Sequence, residues 1–265
     1  MKKIYAFFVA FIVLFSLSSC KLLSKYEAYE NYRSYHIINN SGELIYDSIS
    51  KINIDWVKGA VTIKPTEEYT GILVKEVTKE SYNEDLLCRL WKNGKELNIK
   101  YCASNTTILN DVSKELIVYL PKNYVLDELE IDLYSSSLDV SDINVTDLEI
   151  ENISGLVNVT NVHVNKIEYS GVSGSFTTVL SPITKELDIE QVSGMTIISL
   201  PHHANGFTLK HETVSGGFYS DFQLTSKKEN EYIYLEKDYL HINFESVSGS
   251  LSVVEHICSE APVEE

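Results

Sequence analysis

Arginine is nearly missing from this chain. Only Arg33 and Arg89 occur in 265 residues, which excludes recognition of phosphate or carboxylate by clustered guanidinium groups. Basic charge is scarce altogether, with Lys plus Arg at 22 against 38 for Asp plus Glu, a net charge of −16. Removing residues 1–19 takes away Lys2 and Lys3 and no acid, so −16 becomes −18. Such a surface repels nucleic acid and anionic headgroups. No nucleic-acid partner is expected, and any membrane association needs a specific anchor. Proline is sparse, and Pro65, Pro121, Pro182 and Pro201 fall where strand-like runs end. No long segment carries a 3.6-residue period, which excludes a helical domain. There is no CxxC, so neither a zinc ribbon nor a thioredoxin-type site is indicated. A phosphate-binding glycine loop, a dinucleotide fingerprint and HExxH are also missing. No cofactor and no metal are expected.

What is present begins at the N-terminus. Lys2 and Lys3 precede an apolar run from Ile4 to Phe15, followed by Leu17-Ser18-Ser19-Cys20. The run is short for a membrane span and ends in small residues, as an export signal does. Its last four residues resemble a bacterial lipobox, which implies diacylglyceryl transfer to the Cys20 thiol and cleavage before it. If Cys20 were incidental, the segment would be an uncleaved anchor or an ordinary signal. The expected organisation is a signal peptide (1–19), a tether (20–35), a repetitive domain (36–258) and an acidic tail (259–265). The tether carries Tyr26, Tyr29, Tyr32 and Tyr35 at every third residue. It reads as the linker that lifts a domain off the membrane. Cys88, Cys102 and Cys258 remain once Cys20 is acylated. A Cys88–Cys102 disulfide would bracket the turn at Asn93-Gly94, or all three thiols are reduced and packed near the core.

From about residue 36, strand alternation dominates, as in Ile52-Asn53-Ile54-Asp55-Trp56-Val57. An internal repeat organises it. With a glycine as origin, apolar residues recur at most of the slots −7, −5, −2, +2 and +4 around Gly59, Gly155, Gly174, Gly194, Gly216 and Gly249, with His211 at the −5 slot of the Gly216 unit. Ser154, Ser173, Ser193, Ser215 and Ser248 precede five of these glycines, and Ser135-Ser136-Ser137 is a degenerate copy. Each unit reads as strand, tight turn, strand, and buries its periodic face only by stacking on its neighbours. The glycines are expected to provide positive-φ turns. The serines are expected to bond their own or the adjacent turn. The fold expected is all-β: a single-stranded, β-helix-like solenoid with Ser-Gly turns.

These Val-Ser-Gly units, at 172–174, 192–194, 214–216 and 247–249, with Ile153-Ser154-Gly155, resemble the putative-adhesin family of exported bacterial β-solenoid domains. The opening Ile54-Asp55-Trp56-Val57-Lys58-Gly59 resembles that family's first repeat. The likeness covers roughly residues 50 to 255 and implies a fold; it carries no catalytic residues to transfer.

Other motifs weigh against chemistry. Ser173 recurs by type in five units, whereas a nucleophile occupies one pocket. His202 and His203 are adjacent, so on a strand they face opposite ways and do not bind one ion together with His211. Asp132, Asp139, Asp142, Asp147, Glu149 and Glu151 form the densest acidic stretch, read as a solvated face rather than a calcium site. The expected protein is a non-enzymatic lipoprotein outside the cytoplasm of a bacterium, bound to the membrane through lipid on Cys20. It would display a binding or scaffold domain to a protein or glycan. An envelope-sensing partner of a membrane protein is the alternative, and a β-helix polysaccharide enzyme is a third.

Overall fold

The computed structural model describes residues 25–38, 41–78, 82–108, 112–201, 206–235 and 239–256. Residues 1–19, Cys20, His202, His203, Cys258 and the tail 259–265 lie outside the described residues. The strands are β1 (His36–Ile37), β2 (Glu43–Ile45), β3 (Lys51–Thr66), β4 (Ile72–Val77), β5 (Arg89–Asn93), β6 (Glu96–Lys100) and β7 (Lys114–Pro121). They continue with β8 (Val125–Ser141), β9 (Asn144–Ser154), β10 (Leu156–Val162), β11 (Lys166–Gly171), β12 (Ser175–Leu180) and β13 (Glu186–Pro201). The last are β14 (Phe207–Thr213), β15 (Phe218–Ser220), β16 (Thr225–Lys228), β17 (Glu231–Tyr234) and β18 (Leu240–His256). No α-helix occurs among the described residues.

Alternation sets the strands, and the repeat sets their register. In β3, Ile52, Ile54 and Trp56 are buried before Gly59, and Val61 and Ile63 after it. Each rung therefore contributes one strand to each of two walls that meet at a corner. The −5 slot runs in parallel register from Ile54 to Ile131, Ile150, Tyr169, Ile189, Phe244 and His211. These side chains fill one continuous core. A chain of this composition thus folds as an all-β solenoid-like stack.

The rungs do not stack in chain order. β18 pairs with β13 on one side and with β14 and β15 on the other. At the opposite end, β3 lies between β8 and the later-paired β6 and β7. Antiparallel strands close both ends. β5 and β1 extend beyond β6, and β4 and β2 beyond β7. β17 and β16 extend beyond β14. The outermost β16 is exposed throughout and carries Lys227 and Lys228, charges that discourage edge-to-edge pairing.

The corners differ from the tight turns expected. In β3, β8, β13 and β18 the strand continues through the corner as a bend. Gly194 has φ 129, and a Cβ there would lie 2.2 Å from the carbonyl oxygen of Gly174. Close rung-to-rung approach, as much as backbone sign, is what requires glycine. The positive-φ expectation fails at Gly216 and Gly249, which lie outside that region. At Gly216 a Cβ would still meet the Gly249 carbonyl oxygen at 2.0 Å, whereas at Gly249 it would meet only the Gln191 side chain.

The −2 slot is a second correction. It does not point inward; the −3 slot does. Trp56, Leu133, Asn152 and Gln191 are buried, while Val57, Tyr134, Ile153, Val172, Val192 and Val247 form a half-buried outer column along the corner. Strand alternation forces this, because −3 shares the parity of −5 and −7.

The Tyr-rich stretch does not run free of the domain. Tyr26 N–H donates to the Thr106 carbonyl at 2.7 Å, and Asn105 N–H to that of Glu27 at 3.3 Å. Tyr29 N–H donates to Ser104 Oγ at 3.0 Å, and its hydroxyl to the Cys102 carbonyl at 3.2 Å. Tyr29 packs on Tyr35, and Tyr35 on Trp91. Tyr26 is 5% exposed, and only Tyr32 of the four points to solvent.

Candidate binding surface

Outward-facing residues of the first wall fall into straight columns. One runs Asp55, Asp132, Glu151, Ser170, Glu190, Glu245. Beside it run Glu130, Glu149, Glu168, Asp188 and Asn243, then Lys210. Neighbours within a column are one strand spacing apart, about 4.8 Å between backbones. Like charges so close disfavour full ionisation. Asp132 is pushed up to about 7, chiefly by burial and then by Glu151, Asp55 and Glu130. Glu149, Glu151 and Glu190 are also raised, again by burial first and by neighbouring carboxylates second.

Lysines tie parts of this wall together. Lys51 pairs with Glu128 and Glu130, both at 2.9 Å. Lys210 pairs with Glu212 at 3.0 Å and Glu245 at 3.1 Å, and Asn243 donates to Asp188 at 2.7 Å. A half-open groove of about 380 Å³ crosses the wall between Glu149, Glu168, Asp188, Glu190, Lys210 and Glu245. The second wall contrasts with it. From β10 through β12 and β13 to β18 its outward columns carry Leu156, Asn158 and Thr160, then Ser175, Thr177 and Val179. Met195, Ile197 and Ser199, then Ser250, Ser252 and Val254, complete them, with no charged group.

The sequence-level candidates are distributed as follows. Ser154, Ser173, Ser193 and Ser248 lie along the corner, and each hydroxyl donates to a carbonyl of the adjacent rung: Tyr134, Ile153, Val172 and Val192, at 3.1 to 3.4 Å. Ser215 donates through its N–H to the Val247 carbonyl at 2.9 Å. Of the acidic stretch, Asp132, Asp147, Glu149 and Glu151 share the first wall, while Asp139 faces outward on the second. Among the described residues no group of three His, Cys, Asp or Glu is placed to hold a metal ion. His211 lies between the rings of Phe218 and Phe244, and burial lowers its pKa. Cys88 and Cys102 are free and buried. Burial pushes the Cys88 thiol up and Cys102 to about 12.

Sequence reasoning missed most of the acidic wall, because Glu168, Asp188, Glu190 and Glu245 join it only through register. The −8, −6 and −4 positions of each repeat carry that signal. It also missed Lys114, which is buried at the outer side of the Gly59 corner. Its ammonium pairs with Glu76 at 2.6 Å, donates to the Leu86 and Tyr101 carbonyls, and sits 4.0 Å from the Tyr101 ring centre.

A parallel stack of bent rungs with Ser-Gly corners is a specific arrangement, and it has relatives. Residues 49–179 match the Toastrack DUF4097 family. The matched segment spans β3 to β12, and the same register continues past it into β13, β18 and β14. A putative cell adhesion protein from Clostridium sporogenes has a similar structure, at 18% identity and a TM-score of 0.50. The match covers 84% of this chain and 98% of that one, and it shows the fold. Putative adhesins from Bacteroides fragilis and Parabacteroides distasonis align at 9% and 10% identity, with TM-scores of 0.35 and 0.28. Each alignment covers 83% of this chain, and 94% and 99% of the other. No curated protein matches the chain.

Proposed function

We propose that this chain is a cell-envelope lipoprotein, acylated at Cys20, whose Toastrack solenoid is a non-catalytic, adhesin-like binding or scaffold module. The acidic first wall carries this reading. Its carboxylates are spread in register over the rungs from β3 to β14, a pattern suited to an extended partner and not to one reacting bond. The crossing groove follows the same columns, and Lys210 and Asn243 already engage two of its carboxylates. The adhesin names of the structural neighbours and the lipobox-like Leu17-Ser18-Ser19-Cys20 support display outside the cytoplasm. The partner is a basic or neutral protein or glycan, met by electrostatic attraction that salt screens.

Two measurements test this. Mass spectrometry of the mature N-terminus should find a lipid on Cys20, and cleavage elsewhere without lipid would reject display. Pull-downs from envelope extracts, with wild type and a Glu130→Gln/Glu149→Gln/Glu168→Gln/Asp188→Asn variant, should differ at low salt and converge at high salt. Identical capture by both proteins would reject the first wall as the binding face. Turnover in an ester or glycan screen, lost on changing one groove carboxylate, would replace the reading with an enzyme.

A further inference from the structure

The corner between the walls has a chemistry of its own. Ile153, Val172 and Val192 follow one another there, each half-buried, on adjacent rungs. Beside them Leu156 is 59% exposed and Met195 46% exposed. No charged side chain belongs to this stretch, although the chain is strongly acidic and the neighbouring column is carboxylate-rich. Ser154, Ser173 and Ser193 with their glycines separate the two sets, and Ser175 lies between Leu156 and Met195. The corner is thus an uncharged band of apolar and hydroxyl groups, and exposed apolar side chains on such a surface are an interaction feature.

The docked N-terminal segment says what covers it. Lys25 and Tyr26 share a cavity of about 160 Å³ with Val57 and Tyr134, the members of the same corner column on the two preceding rungs, and with the charged Asp55 and Lys100 on the first-wall side. The chain therefore leaves the domain at one end of the stripe. Cys20 is five residue steps before Lys25, a reach of at most about 18 Å when fully extended. Residues 25–35 do not act as a spacer, because they pack against Ser104, Thr106 and Trp91. The chains of a lipoprotein cysteine hold the protein firmly at the bilayer, so a domain on so short a lead lies close to the membrane surface.

We propose that the corner stripe is the lipid-facing edge of the domain, with Ile153, Leu156, Val172, Val192 and Met195 resting on the bilayer surface. This rests on acylation of Cys20. It fixes the domain's orientation, with the acidic wall standing to one side of the contact and the second wall to the other.

The test uses the full lipidated chain in vesicles of phosphatidylcholine carrying brominated acyl chains. Leu156→Trp places a reporter on the stripe, and Glu186→Trp places one on the first wall far from the corner. The Leu156→Trp emission, measured against the parent chain, should lose roughly half its intensity or more. The Glu186→Trp signal should stay unchanged. Releasing the segment with Tyr26→Ala/Tyr29→Ala should reduce the quenching at position 156. Equal quenching at both positions, or none at 156 with lipid on Cys20 shown by mass, overturns the stripe and leaves the lipoprotein reading intact. An unacylated Cys20 overturns both. If a lipid-free chain is dimeric and Leu156→Asp/Met195→Asp makes it monomeric, the stripe is a self-interface and the proposal fails.

Discussion

A valine at position 194 meets two obstacles at once. The backbone there is at φ 129, and the new Cβ would press on the Gly174 carbonyl oxygen at 2.2 Å. Local strain of this kind costs on the order of 1–3 kcal/mol. Gly194→Val should therefore lower the urea midpoint clearly, while Gly249→Ala, which meets only the movable Gln191 side chain, should lower it little. Equal losses would mean that corner geometry is not the cause. Asp132 makes a pH-dependent case. An unfolded aspartate titrates near pH ~3.9, whereas burial and neighbouring carboxylates raise Asp132 to about 7 in the fold. The folded state thus holds this proton more tightly. Its stabilising contribution is complete below the unfolded value and is lost as pH rises through 7. Asp132→Asn should stabilise the protein at pH 8 by about 1–3 kcal/mol, discounted for partial exposure, and the gain should vanish near pH 4. Urea titrations of both proteins at the two pH values check it; a variant no more stable at pH 8 would contradict it.

At the scale of elements, the ends of the stack differ from its middle. Lys114 and Glu76 pair with side chains 0% and 7% exposed, and both Glu76 carboxylate oxygens also accept the Cys88 N–H. Removing one partner leaves a buried charge unmatched, a loss of about 3–5 kcal/mol. Lys114→Met should show that loss in equilibrium unfolding, and Lys114→Met/Glu76→Gln should recover part of it. Losses that simply add would show that the pair is not coupled. Nothing in the sequence announces this pair, because Lys114 and Glu76 sit on β7 and β4, which meet only through antiparallel register. The walls, by contrast, were legible, since alternation in Ile52-Asn53-Ile54-Asp55-Trp56 counts side chains to two faces. The −2 slot misled because valines at a half-buried corner look like core valines. Rung order was not legible either. Val192-Ser193-Gly194 and Val247-Ser248-Gly249 present the same frame, so either could neighbour the Gly216 unit. The order follows from β17, which occupies one edge of β14 and leaves the other to β18.

Over the whole molecule, the solenoid converts a one-dimensional repeat into two walls of opposite character. Acids at −8, −6 and −4 gather on the first, and hydroxyl and aliphatic side chains gather on the second. The acidic stretch 132–151 gave a glimpse of the first wall, but its extension to Glu190 and Glu245 needed the register. The lipobox-like Leu17-Ser18-Ser19-Cys20 was legible as a local sequence pattern, and the lipid it implies stays a proposal. The docking of the tyrosines was not, because their partners Ser104, Thr106 and Trp91 lie more than 50 residues away in sequence. Function through the acidic wall is open to one direct measurement: calorimetric titration of a lysine-rich peptide into the wild-type domain and the Glu130→Gln/Glu149→Gln/Glu168→Gln/Asp188→Asn variant at low and high salt. The wild type should bind at low salt, weaken about tenfold or more at high salt as charge is screened, and lose binding in the variant. Salt-independent binding, or binding that the variant retains in full, would contradict a role for this wall.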